Sequence, residues 1–157
     1  MIVLDFSASM YETNEDIDKM TLSAKDLIDS LNETHQVGVV EFHRPDEPPA
    51  LLHAFTTYKN AAKEAIDNFS YGKIYRDFSS CWDAVHKGLK QFPEKPDPNV
   101  FKTLAFLSDG FDNSSFNTPD DVIALAKERD VHIYALGIGS GKEEKVLETI
   151  ALETGGT

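Results

Sequence analysis

Asp5, Ser7 and Ser9 stand at alternate positions directly after the apolar run Met1-Ile-Val-Leu4. A turn leaving a strand at that point aims one carboxylate and two hydroxyls into one small space. Oxygen donors gathered in this way suit a hard divalent cation, because Mg²⁺ and Ca²⁺ take oxygen ligands. Asp and Ser also populate ordinary turns and helix caps, so the trio alone leaves that plainer reading open. Two further oxygen-rich loops add weight to the metal reading. Asp77-Phe-Ser79-Ser80 precedes an amphipathic stretch, and Ser108-Asp109-Gly110 follows an apolar one.

The elements that must position these residues alternate along the chain. Ile17, Met20, Ala24, Leu27, Ile28 and Leu31 recur at helical spacing, which predicts a helix over roughly 15–34. Val37–Phe42 is a short apolar run suited to a buried parallel strand, and Leu51–Thr57 is a second strand at an edge, after Pro48-Pro49. Tyr58, Ala62, Ala65, Ile66 and Phe69 mark a second helix, and Trp82, Val85, Leu89 and Phe92 a third. Phe101–Leu107 reads as a strand buried on both faces. Thr118-Pro119-Asp120-Asp121 opens a helix with a capping hydroxyl, Pro at the first position and acids in the first turn. That helix runs to about Arg129, a strand follows at Val131–Leu136, and a last helix at Glu143–Glu153. Strands alternating with helices of this length give an α/β fold: three layers, Rossmann-like and doubly wound, with a mostly parallel sheet. In such sheets ligands gather beyond the C-terminal ends of the strands, where the strand order reverses. All three polar loops fall there.

Composition narrows the function classes. The 157 residues form a single domain with enough apolar content, 41%, to bury a core. Acids outnumber bases 27 to 15, and the net charge of −12 argues against nucleic acid or an anionic membrane as partner. No apolar run reaches the ~20 residues of a membrane span. Cys81 is the only cysteine, so internal disulfides are excluded, and it reads as a small buried hydrophobe. The chain opens directly on a core strand and stops after Thr154-Gly-Gly-Thr157, which reads as a stretch truncated at both ends with no secretion signal in view.

At this point the residues resemble the von Willebrand factor type A domains. Their metal-ion-dependent adhesion site combines a D-x-S-x-S loop, a Thr in a second loop and an Asp in a third. Asp5, Ser7 and Ser9 match the first loop, and Ser108-Asp109-Gly110 matches the third. Ser79-Ser-Cys-Trp-Asp83-Ala84 keeps the spacing of the second loop with Ser in place of Thr, Ser80 being the fallback. The preceding 71–77 stretch is longer and less glycine-rich than is usual in the family.

The resemblance implies a sheet in the order 3-2-1-4-5. It also implies that the final strand and helix of a complete member are missing, leaving Val131–Leu136 as a bare edge open to association. The metal site would comprise Asp5, Ser7, Ser9, Ser79 and Asp109, with the serines bound directly and the acids acting largely through waters. It would hold Mg²⁺, or Mn²⁺ or Ca²⁺ depending on conditions. A protein ligand would supply a Glu or Asp carboxylate, without catalysis and in an extracellular or cell-surface setting. The surrounding loops Met10–Glu15, Ser70–Phe78 and Phe111–Asn117 would set specificity through Tyr11, Tyr71, Tyr75, Phe111 and Phe116. Such aromatics also pack into domains, and that reading stays open.

Other features read as plain structure. Asp112 is a turn residue, Ser79 or Ser80 caps the third helix, and the five histidines lack metal spacing. Gly137–Lys142 resembles a phosphate loop but carries Leu136 and Glu143 where that motif needs Gly and Ser or Thr. Asn32, Asn68 and Asn113 fit the glycosylation pattern. The runner-up from another class is a haloacid dehalogenase-like Mg²⁺-dependent phosphatase with Asp5 as nucleophile. That family wants a second Asp where Ser7 stands, and a Lys later than Lys102.

Overall fold

The apolar run at the start of the chain forms β1 (Ile2–Asp5), every residue of which is buried. A strand with both faces covered needs helices above and below. The chain supplies them in the order α1 (Asn14–Ser30), β2 (Val37–Phe42), β3 (Ala50–Thr56), α2 (Lys59–Ser70), α3 (Cys81–Leu89), β4 (Thr103–Ser108), α4 (Pro119–Arg129), β5 (His132–Gly137) and α5 (Glu144–Glu153). The computed structural model describes residues 1–11, 14–43, 47–70, 79–138 and 144–157, and leaves undescribed the side chains of Asn14 and Ser70. Tyr71, Tyr75, Asp77, the 44–46 loop and 139–142 of the glycine-rich stretch therefore lie outside the described residues.

The strands form one sheet in the order β3-β2-β1-β4-β5. β1 pairs in parallel with both β2 and β4, and β4 with β5, while β3 alone runs antiparallel. This is the order and polarity that the resemblance implies. β1 is the switch point, since the chain winds outward from it to one edge and then returns to build the other.

Period two divides the core. Ile2 and Leu4 face α1 and α2, packing with Met20, Ile28, Ala62 and Ile66. Val3 faces the opposite layer, where Phe42, Trp82, Val85, Phe106 and Ile133 meet. Trp82 and Phe42 each stand against Phe106, with ring centroids 6.1 and 6.4 Å apart. Each large side chain so buried contributes roughly 1.5–3 kcal/mol. By the same alternation Asp5 falls on the face of Val3, beneath α3.

Several boundaries differ from the sequence reading, each for a local reason. α1 stops at Ser30 rather than near 34, because Asn32 Oδ1 accepts the N–H groups of Thr34 and His35, a turn that competes with the helix. Lys59 Nζ covers the carbonyls of Leu31 and Asn32 just beyond that end. α3 ends at Leu89, and Phe92 stays buried in the turn that follows, against Phe55. β4 begins at Thr103, leaving Phe101 exposed and stacked on His132. At α4 the expected cap is present. Thr118 Oγ1 accepts from the Asp121 N–H at 3.2 Å, and the Asp121 carboxylate accepts from the Thr118 N–H at 2.8 Å.

The outer edge of β5 corrects the expectation of bare backbone. Ile133 N–H donates to Thr154 Oγ1 at 3.1 Å, and Ala135 N–H to the Thr157 carbonyl at 2.9 Å. Gly156 lies flat against this edge, and a Cβ there would stand 1.8 Å from the Ile133 carbonyl oxygen.

Two buried cations close the opposite pole of the sheet. Lys102 Nζ donates to the Arg129 carbonyl at 2.8 Å, and Arg129 Nη1 donates to the carbonyls of Lys90 and Phe92. Each cation thus sits on carbonyls at or just past a helix C-terminus, where positive charge is favoured. Replacing Arg129 with Met strands those carbonyls, and we expect a loss of about 2–4 kcal/mol in urea unfolding. A loss below about 0.5 kcal/mol would show that water replaces the guanidinium at no cost.

Candidate metal centre

The site begins with Asp5 and Ser108, which the parallel register of β1 and β4 brings together on the face beneath α3. Ser108 Oγ donates to Asp5 Oδ2 at 2.6 Å, and the Ser7 N–H donates to Asp5 Oδ1 at 2.8 Å. Asp5 is wholly buried. Burial pushes its carboxyl up from 3.8 to about 7, against the pull of these hydrogen bonds, and the Asp109 charge pushes it further up.

The turn after β4 is shaped to place Asp109. Ser108 Oγ accepts the Gly110 N–H at 2.9 Å, and Asp109 Oδ1 accepts the Phe111 N–H at 3.0 Å. Gly110 has φ 79°, the left-handed region that glycine enters without strain. Asp109 is partly exposed and also borders a cleft of about 490 Å³ between β5 and α5, lined on its far side by Glu144 and Glu148. After β1 the chain enters a short 3-10 turn, Ala8–Tyr11, which sets Ser7 Oγ and Ser9 Oγ 3.1 Å apart. Tyr11 packs down onto the core beside α1.

Ser79 arrives from the third direction. Its hydroxyl and that of Ser80 are buried, with no hydrogen-bond partner among the described residues. Ser80 occupies the N-cap position of α3, yet its hydroxyl makes no capping bond. The sequence reading of a serine at the N-cap thus holds for the position of Ser80, while no side-chain capping bond comes from it. The caps come from the loop between β4 and α4, where Asp112 Oδ2 accepts the Trp82 N–H at 3.2 Å and Ser115 Oγ accepts the Asp83 N–H at 3.1 Å. Asp112 is the turn residue expected, its Oδ1 accepting the Ser115 N–H at 3.2 Å, and it caps α3 as well. Its partner in α3 lies thirty residues away in sequence, so no local pattern discloses that second role.

The predicted residues thus reach one pole of the sheet from three loops. Ser7 and Ser9 touch, Asp5 feels the charge of Asp109, and Ser79 is tied to the loop that follows Asp109. Two carboxylates with neutral hydroxyls are a fitting donor set for a hard divalent cation, and the two orphaned buried hydroxyls are the groups such an ion would satisfy. Among the described residues no group of three or more His, Cys, Asp or Glu side chains is placed to hold a metal. Cys81 lies beneath the site, and burial together with the Asp112, Asp5 and Asp109 charges raises its thiol well above the ordinary range. It is a protonated packing residue. His43 is occupied with Glu41 at 2.7 Å. Lys102, the lysine of the phosphatase alternative, is bound at the other end of β4 and cannot serve Asp5.

The sequence matches the family model of the von Willebrand factor type A domain over residues 1–157. Among curated proteins none matches it. Similar solved structures include the conserved hypothetical protein BatB of Bacteroides thetaiotaomicron, 18% identical with a TM-score of 0.76 over 99% of this chain and 85% of that one. Proximal thread matrix protein 1 of the mussel byssus is 26% identical, with a TM-score of 0.76 over 96% of this chain and 38% of that one. It has also been solved with a zinc-occupied MIDAS motif. The manganese-loaded TRAP protein of Plasmodium vivax is 21% identical, with a TM-score of 0.69 over 96% of this chain and 60% of that one.

The raised Asp5 carboxyl yields a pH dependence for the metal-free protein. In the unfolded chain Asp5 loses its proton near 3.8, and in the fold near 7, so folding favours the protonated form. The associated stability is full below about pH 4 and is lost as the pH climbs through about 7. In chelator, wild-type melting temperature should therefore fall between about pH 5 and about pH 8 relative to Asp5→Asn, which carries no such proton. Parallel curves for the two proteins would show that Asp5 is ionised throughout.

Proposed function

Since the chain belongs to the von Willebrand factor type A family, we propose that Asp5, Ser7, Ser9, Ser79 and Asp109 form a metal-ion-dependent adhesion site. The observation that carries this reading is the pair of buried hydroxyls on Ser79 and Ser80, without partners among the described residues and held at the same pole as a fully buried Asp5. The ion is Mg²⁺ by preference, with Mn²⁺ or Ca²⁺ as substitutes, and the zinc- and manganese-loaded neighbours support a divalent cation.

The serines are the direct ligands and the two acids act through bound water. Neutral hydroxyls leave most of the ion's charge uncompensated, so its chemistry is to take a carboxylate from outside. The chain is thus a binding module rather than an enzyme, and its ligand is a protein presenting Glu or Asp. A cell-surface or extracellular setting accords with the byssal matrix protein among its structural relatives.

Specificity falls to the loops around the metal. Of the candidate aromatics, Tyr11 packs inward, whereas Phe116 is 97% exposed and Phe111 is 41% exposed, on the loop that follows Asp109. Aromatic anchors beside a charged centre are what interface hot spots favour.

Calorimetric titration should find one Mg²⁺ or Mn²⁺ site, abolished in Asp5→Ala. A wild-type protein that takes up neither ion would end the proposal. Asp109→Ala should weaken uptake about tenfold or more while leaving the melting temperature within a few degrees, since that side chain is partly exposed. Metal affinity unchanged in Asp109→Ala would remove this residue from the site.

A further inference from the structure

Ser79 combines a saturated main chain with an idle side chain. Its N–H donates to Asn113 Oδ1 at 2.9 Å. Its carbonyl accepts from the N–H groups of Asn113 and Ser114, both at 3.1 Å, and from Ser114 Oγ at 2.8 Å. Its hydroxyl, buried, has no partner among the described residues. A buried hydroxyl fixed in place but unsatisfied costs about 1–3 kcal/mol unless a ligand takes it.

The same loop is locked a second time, a few residues on, by Asp83. Its carboxylate accepts the Phe116 N–H at 3.1 Å, the Asn117 N–H at 2.8 Å and Asn117 Nδ2 at 2.6 Å. In return Asp112 and Ser115 cap the first turn of α3, and Ser115 Oγ donates to Asp112 Oδ2 at 2.5 Å. The bonds therefore run in both directions between α3 and residues 112–117, with Ser79 at one end and the Asp83 carboxylate at the other.

We infer that the loop between β4 and α4 is a latch in which Asp83 and Asn113 are positioning residues, holding Ser79 where its hydroxyl meets the metal. The inference rests on the metal reading above and adds two residues that touch no ligand themselves. Asp83 closes the loop onto α3, and Asn113, inside the closed loop, fixes the Ser79 peptide. If these bonds served only to cap α3, their loss would lower stability and leave the affinity of the folded protein for metal untouched.

The test is Mn²⁺ titration of the full chain, well below the melting temperature, with folding monitored by circular dichroism. Asp83→Ala and Asp83→Asn both remove the charge, but only Asn keeps an oxygen for the Phe116 and Asn117 N–H groups. The latch predicts at least tenfold weaker Mn²⁺ binding in Asp83→Ala than in Asp83→Asn. Equal affinities in two folded variants would overturn it. Should Asp83→Ala fail to fold, the charge-neutral Asn113→Ala decides, with a several-fold loss expected and wild-type affinity overturning the latch. A wild type that binds no Mn²⁺ overturns the metal reading itself and takes the latch with it.

Discussion

The constraint on which this structure turns is a carboxyl group with no exposure at the end of the central strand. Burying an ionised carboxylate is costly unless its oxygens are bonded. Asp5 receives one bond from the Ser108 hydroxyl and one from the Ser7 N–H, and its carboxyl still rises to about 7. Both donors exist only because β1 and β4 are parallel neighbours and the chain turns sharply after Asp5. The topology is therefore tied to the chemistry. With β1 at the switch point, the loops leaving β1 and β4 meet over Asp5, with Ser79 bonded to the second of them.

The two poles of the sheet are finished differently. At the lower pole Lys102 and Arg129 are buried cations that donate to carbonyls at or near helix ends, with Arg129 Nε left without a partner among the described residues. At the upper pole two serine hydroxyls are buried without partners among the described residues, and the Asp109 charge adds to the upward push on the buried Asp5 carboxyl. Natural sequences violate polar satisfaction mainly at functional sites. On the metal reading, the two serine hydroxyls are such a case.

Much of this was legible in sequence because it depends on local periodicity. The elements, the strand order, the Thr118 cap and the D-x-S-x-S trio all follow from spacings of a few residues, read with one resemblance. What stayed hidden depends on register. Asp112 and Asp83 look like a turn residue and a helix-start acid, yet they bind across thirty or more positions. Ser80 stands at the N-cap of α3, yet its hydroxyl does not cap, and Asp112 and Ser115 accept the first-turn N–H groups instead. The end of α1 was overrun because Leu31 continues the apolar period past the point where Asn32 turns the chain. The bare edge expected at β5 failed for a related reason, since the groups that cover it, Thr154 and Thr157, carry no strand signal of their own.

Charge around the site is uneven. Glu144 and Glu148 border the cleft beside Asp109, on the α5 side, in a chain whose net charge is −12. That field concentrates divalent cations and repels carboxylates within the ~8 Å over which exposed charges act at physiological salt. A ligand acid arriving over α5 would meet it before meeting the metal. Phe111 and Phe116 stand exposed on the loop that bonds Ser79 directly and whose Phe116 N–H is held by Asp83. Apolar rings on a pinned backbone lose little freedom on docking and carry no like charge. On the metal reading, these exposed rings suit apolar neighbours of a ligand acid better than the acidic α5 side does.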